Sequence, residues 1–170
     1  MPPDFEALLL PHLDAAYTVA RYLLRDDDAA QDVVQESYLR ALRHFGGFRG
    51  DNAKAWLLTI VRNCCATWRA NERRDANTIE FDERAHSESQ EDARPDVLVL
   101  RASAAEAVRR AVRDLPREFA EVIVLREIEG MSYSDIALVI GAPIGTVMSR
   151  LSRARKRLQT ILGTEARDAI

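Results

Sequence analysis

A chain of 170 residues, 30% charged and 47% hydrophobic, can form one medium domain or two small ones and carries too much apolar surface to stay disordered. Its apolar runs, such as 136–142, are too short to cross a bilayer, and the opening MPPDFEALLLPHLD lacks the basic segment and small-residue cleavage site of a signal peptide. The formal charge of −3 is unevenly spread, with residues 1–73 at −1, 74–96 at −5 and 97–170 at +3.

In chain order, Leu13, Tyr17, Ala20, Leu23 and Leu24 recur at helical spacing and predict a first helix that closes before the acidic break RDDDAA. A second helix is expected over 29–45. Val34, Tyr38, Ala41, Leu42 and Phe45 form its apolar face, and Asp32, Gln35, Glu36, Arg40 and Arg43 lie on the other side. Leu39 sits among those charges, where it is either a single exposed apolar residue or an anchor for a protein partner. The segment GGFRGDN must be a loop, since three glycines fall within five residues.

A third helix, over 53–71, places Leu57, Val61, Cys64 and Trp68 on a buried face and Thr59, Arg62, Asn63, Ala66 and Arg69 on the other. With Phe48 and Arg49 on the preceding loop and Trp56 near the helix start, rings, arginines and an amide gather as single-stranded DNA requires. Phe48 could equally be packed. Cys64 and Cys65 are the only cysteines, and as helical neighbours they point about 100° apart, which suits core residues in a reducing compartment better than a disulfide.

Residues 75–96 are polar, acidic and aperiodic and predict a flexible linker. Helices resume over 97–114 and from Pro116 to about Glu129, where Gly130 stops the second. Ser132 followed by Asp135 marks a new helix start, Gly141 suits a left-handed cap, and Pro143 helps begin the last helix. On that helix Val147, Leu151, Ala154 and Leu158 share one face, while Gly145, Ser149, Ser152, Arg153 and Lys156 lie opposite, flanked by Thr146, Met148, Arg150, Arg155 and Arg157. Five basic residues and no acid fall between 143 and 164. This is the layout of a DNA-binding helix-turn-helix, with a merely solvated basic face as the competing reading. The fold class is therefore all-α: two small helical domains, 1–74 and 97–165, joined by an acidic linker.

The stretches DVVQESYLRALRHFGGFRG, AWLLTIVRNCCATWR, LPREFAEVIVLREIEGMSYSDIA and GAPIGTVMSRLSRARKRL together resemble the extracytoplasmic-function sigma factors of bacterial RNA polymerase, in that family's order. The resemblance implies a dissociable, non-catalytic promoter-specificity subunit, cytoplasmic, without cofactor or metal. Its partners would be the polymerase core (clamp and flap), promoter DNA and an anti-sigma factor. Asp32, Gln35, Glu36, Leu39, Arg40 and Arg43 would bind the polymerase. Phe48, Arg49, Trp56, Arg62, Asn63 and Arg69 would meet the minus-10 element, with Phe48 and Asn63 at a pocket for a flipped base. Thr146, Met148, Ser149, Arg150, Ser152, Arg153 and Lys156 would meet the minus-35 element, with Arg126 supporting the recognition helix. The linker would thread towards the RNA exit path.

Two positions depart from the family pattern: Met148 stands where a basic residue is usual, and Ser152 where the side chain is often larger. Losing that cation leaves more of the minus-35 reading to Ser149, Arg150, Arg153 and Lys156. A stand-alone helix-turn-helix regulator, or a sigma-like decoy for an anti-sigma factor, is the alternative. No Gly-rich phosphate loop, metal-ligand cluster or nucleophile-base pairing suggests an enzyme.

Overall fold

The computed structural model describes residues 3–78 and 97–168. Within them the regular elements are all helical: α1 (Pro3–Leu9), α2 (Leu13–Leu24), α3 (Asp27–His44), α4 (Ala53–Thr78), α5 (Val97–Asp114), α6 (Arg117–Ile123), α7 (Tyr133–Ile140) and α8 (Ile144–Asp168). Short 3-10 turns at Leu10–His12 and Phe45–Gly47 link neighbours, and a π-helical turn at Val124–Ile128 prolongs α6. The all-α expectation holds for these residues.

The acidic break after α2 proves to be the start of α3. The Asp26 carboxylate accepts from the Ala29 N–H at 2.9 Å, while Asp27 and Asp28 occupy the first turn. Arg43 and His44 close the last turn, so charge complements the helix dipole at both ends. Asn52 caps α4 in the same way, accepting from the Ala55 N–H at 2.9 Å. That helix then runs beyond the expected end at 71 to Thr78, because no glycine or proline lies between Gly50 and Pro95 to stop it. Residues 75–78, expected to open the linker, are thus helical, and the rest of the expected linker lies outside the described residues.

In the N-terminal half α2, α3 and α4 pack on one another, with α1 laid against α4. Small side chains let α3 approach both neighbours: its buried positions are Ala29, Ala30, Val33, Val34, Ser37 and Ala41. The buried Ser37 hydroxyl donates to the Val33 carbonyl at 2.6 Å, which satisfies it within the helix. Leu57, Leu58 and Val61 of α4 are fully buried, and each such side chain contributes roughly 1.5–3 kcal/mol. Trp68, expected on the same buried face, is only half-buried.

Cys64 and Cys65 are both buried thiols, as expected of core residues. Burial pushes the Cys65 thiol up to about 12, so it carries almost no thiolate at neutral pH. Iodoacetamide at pH 8 should therefore leave Cys65 unmodified in the folded chain and alkylate it after denaturation. Native-state alkylation at the rate of a small free thiol, read by mass spectrometry, would show that the site opens.

In the C-terminal half α5, α6 and α7 all pack on α8, burying Leu115, Leu125, Ile136, Val147 and Leu151. The two halves are not held apart: α4 lies against α7, α2 lies against α6, and one contiguous apolar core passes through both.

Candidate functional site

Three surfaces collect the residues singled out from sequence. The first is an apolar groove of about 740 Å³ lined by α1, the turn after it, α2 and α3. Asp32, Gln35 and Leu39 line it, joined by Phe5, Leu10, Leu13, Asp14 and Tyr17, which sequence reasoning did not single out as site residues. Leu39 is 46% exposed there, alongside Leu10 at 51% and Leu13 at 44%. Val34, Tyr38 and Leu42, from the expected apolar face of α3, also line this groove. The reason is geometric: α3 turns its small residues to the core and leaves its larger ones at the rim. The Tyr38 hydroxyl donates to the Leu9 carbonyl at 2.7 Å, and burial pushes its ionisation up to about 12, so the groove has a neutral phenol in its wall. Glu36 and Arg40 are not in the groove; they pair with each other at 2.7 Å one helical turn apart, and Arg43 is exposed beyond them.

The second surface is the start of α4 with the loop before it. Phe48 is half-buried among rings, 6.2 Å from Phe45 in stacked geometry and 4.9 Å from Trp56. Phe5 closes the cluster edge-on to Phe45 at 5.3 Å. In the free chain Phe48 thus packs on its neighbouring rings while staying partly exposed, with Arg49 exposed beside it. Asn63 is exposed on α4 and Arg69 half-exposed.

Arg62 does not stand free. Its Nε donates to Glu121 Oε1 at 2.5 Å, and Glu121 is 6% exposed in the C-terminal half. Three further bonds join the halves: Lys54 Nζ meets Glu129 Oε2 at 2.8 Å and donates to the Glu129 carbonyl at 2.9 Å, and Arg25 Nη2 donates to the Leu115 carbonyl at 2.8 Å. Arg25 sits in the left-handed region at φ 59, a conformation costly for a side-chain-bearing residue and compatible with its reach across the interface. His12, beside this contact, is held below the ordinary imidazole range by burial and by Lys54, against an opposing pull from Glu129. No sequence pattern announced these pairs, because their partners are 59 to 90 positions apart.

The third surface is the helix-turn-helix. The Ser132 hydroxyl accepts from the Asp135 N–H at 3.1 Å, and Gly141 is left-handed at φ 64, as the sequence implied. α7 and α8 meet at 100°, within the range of DNA-binding helix pairs. Val147, Leu151 and Ala154 are buried, which turns Ser149, Ser152, Arg153 and Lys156 outward. The Ser149 hydroxyl donates back to the Thr146 carbonyl at 3.0 Å.

The basic residues of α8 divide into two groups. Arg155 bonds Glu127 at 2.6 Å, Arg157 lies 5.2 Å over the Phe119 ring, and Arg150 approaches Glu118 at 3.9 Å. Arg153 and Lys156 form no ion pair among the described residues, so they are the cations available to an outside phosphate or base. Arg126 donates to the Met131 carbonyl at 2.7 Å and stacks 4.8 Å over the Tyr133 ring. It thus fastens the turn leading into α7.

Comparison with known proteins places both halves. Residues 8–75 match the sigma-70 region 2 family and residues 105–158 match sigma-70, region 4. The chain is 34% identical to the RNA polymerase sigma-H factor of Pseudomonas aeruginosa, over 97% of this chain and 89% of that one. It is 35% identical to the ECF RNA polymerase sigma-E factor of Escherichia coli, over 84% and 78%. Among solved structures it is similar to the sigma factor RpoE of Bartonella quintana in complex with the anti-sigma factor NepR. That match has 34% identity and a TM-score of 0.72, covering 94% of this chain and 97% of that one. It is also similar to CnrH in complex with the cytosolic domain of CnrY, at 26% identity and a TM-score of 0.64, covering 94% and 88%.

Proposed function

Because the chain belongs to the extracytoplasmic-function group of sigma-70 factors, a family of non-catalytic regulatory subunits, we propose that it directs promoter-specific initiation by bacterial RNA polymerase. The reading has it bind core polymerase and both promoter elements, in the cytoplasm, and pass under the control of an anti-sigma factor. The observation that carries it is the pairing of two unlike surfaces on one chain: an apolar groove at Leu39 and a helix-turn-helix whose α8 offers Arg153 and Lys156 outward. A stand-alone operator-binding regulator would need the second surface and leave the first without a task.

In this reading the groove, with Asp32, Gln35 and Leu39, takes the polymerase clamp, and Glu36, Arg40 and Arg43 extend the contact along α3. Phe48, Arg49, Trp56, Asn63 and Arg69 meet the minus-10 strand as the duplex opens. Arg62 joins them only after its pair with Glu121 parts. Thr146, Ser149, Arg150, Ser152, Arg153 and Lys156 contact the minus-35 duplex, where phosphate contacts set register and base contacts set sequence. Arg126 holds the turn beneath them.

Runoff transcription with purified core polymerase on a promoter library tests the whole reading. Transcripts should start downstream of a shared two-part sequence. Tight binding to duplex operators without core, and no initiation with it, would overturn the proposal in favour of the stand-alone regulator.

Asn63 tests the minus-10 part alone. It is exposed and its loss touches no packing, so Asn63→Ala should leave core affinity unchanged. Open-complex formation should fall about tenfold, since one good base contact is worth roughly 1–3 kcal/mol. Permanganate footprinting reads this directly, and unchanged strand opening would remove Asn63 from the site.

A further inference from the structure

The leading turns of α8 carry two large apolar side chains that packing does not explain. Ile144 is 47% exposed and Met148 is 54% exposed. A lone exposed apolar residue needs no account, but these two belong to one ridge of the helix. Ile144, Met148, Ser152 and Lys156 follow one another at intervals of four, so each is displaced by only about 40° around the axis. The ridge is ordered by chemistry: two apolar side chains at the N-terminal end, then a hydroxyl, then an unpaired cation. Arg155, the guanidinium nearest that ridge on its inner side, is bound to Glu127 and does not intrude.

A recognition helix meets base edges with its N-terminal residues. On those edges in the major groove the apolar group is the C5-methyl of thymine, and apolar side chains are its ordinary partners. Resting on the proposal that α8 enters the minus-35 groove, we infer that Met148, with Ile144 beside it, reads thymine methyl groups there. The two side chains leave Cα atoms about 6 Å apart along the helix, a span matching neighbouring or next-neighbouring base steps of about 3.4 Å. Lys156, further along the ridge, then lies towards the phosphates. An arginine at 148 would favour guanine acceptors, so methionine changes which base is preferred as well as weakening a charge contact.

The test uses the full chain assembled with core polymerase. Promoters are first selected from a library randomised across the minus-35 element, and each selected thymine there is then replaced singly by deoxyuridine, which removes only the methyl. The expected result is at least one thymine whose replacement slows open-complex formation about fourfold, the worth of one buried methyl-sized group. With Met148→Ala the deoxyuridine and thymine promoters should come level. A minus-35 preference without thymine, or one indifferent to deoxyuridine, overturns the methyl reading while the proposed function stands. Undiminished sensitivity in Met148→Ala also overturns it, by assigning the methyl to another side chain. If no minus-35 preference emerges at all, both this inference and the proposed function fall.

Discussion

Replacing Arg62 by alanine should part the two halves of the chain. Glu121 is 6% exposed, and Arg62 supplies its ion pair in the folded arrangement. Once that guanidinium is gone, the carboxylate recovers solvation only if α4 and α6 separate. Hydrogen bonds to charged groups contribute about 1.5–3 kcal/mol, and the 32% exposure of the Arg62 side chain favours the lower end of that range. At 1.4 kcal/mol per factor of ten, the closed arrangement should lose about tenfold in population relative to the open one. Nearby charge works in the same direction: Arg117 lies near Arg69, Arg25 and Arg73, a like-charged group that the acidic partners Glu121 and Glu129 must outweigh. Distances between dyes on α3 and α8, with small-angle scattering as a second measure, should show an extended population for Arg62→Ala and a smaller one for Arg62→Lys. Helical circular dichroism should be unchanged, since the lost bond is between side chains and each helix keeps its own backbone hydrogen bonds. An unaltered dye distance in Arg62→Ala would mean that apolar packing of α4 on α7 and α2 on α6 holds the halves by itself.

This interface marks the boundary of what the sequence could convey. Helix positions were legible because local chemistry dictates them: Ser132 and Gly141 end α7 as their residue types require, and the apolar spacing of α8 foretold Val147, Leu151 and Ala154 as its buried face. Charge was legible as composition but not as commitment. The sequence shows five cations between residues 143 and 164, and only the fold reveals that Arg155, Arg157 and Arg150 lean on Glu127, Phe119 and Glu118. Arg62 has the same history, since a polar face at helical spacing looks identical whether it meets DNA or another helix. The groove was half legible. Leu39 stood out by its charged neighbours, whereas Phe5, Leu10 and Leu13 joined it only because the fold brings α1, the turn after it and the start of α2 to the same groove. The apolar face of α3 was legible, since Val34 and Ala41 are buried and Tyr38, Leu42 and Phe45 pack against the core, but its spacing did not show that Val34, Tyr38 and Leu42 also line a groove.

Leu39→Asp should weaken binding to core polymerase by about a hundredfold. The side chain is 46% exposed in the free chain, so the substitution removes little internal packing and its cost falls on the complex. Covering the remaining surface of a leucine forfeits part of the 1.5–3 kcal/mol that full burial brings, and a carboxylate forced into the same apolar contact adds a desolvation cost of about 1–3 kcal/mol. Together these approach 3 kcal/mol, or two factors of ten in affinity. Asp14, Asp32 and Glu6 already stand at the groove, so a fourth carboxylate also repels its neighbours. Competition against labelled wild-type chain for purified core gives the affinity, and thermal unfolding of the isolated variant separates binding from stability. Leu13→Asp, also in the groove, should weaken binding too, whereas Leu8→Asp should not, because Leu8 is 42% exposed but outside the groove lining. If Leu39→Asp competes within twofold of wild type, the groove is not the docking surface. If Leu8→Asp and Leu39→Asp weaken binding equally, the loss is electrostatic and the shape of the groove is immaterial. A selective loss at Leu39 and Leu13 is the outcome expected of a partner that inserts an apolar side chain between α2 and α3.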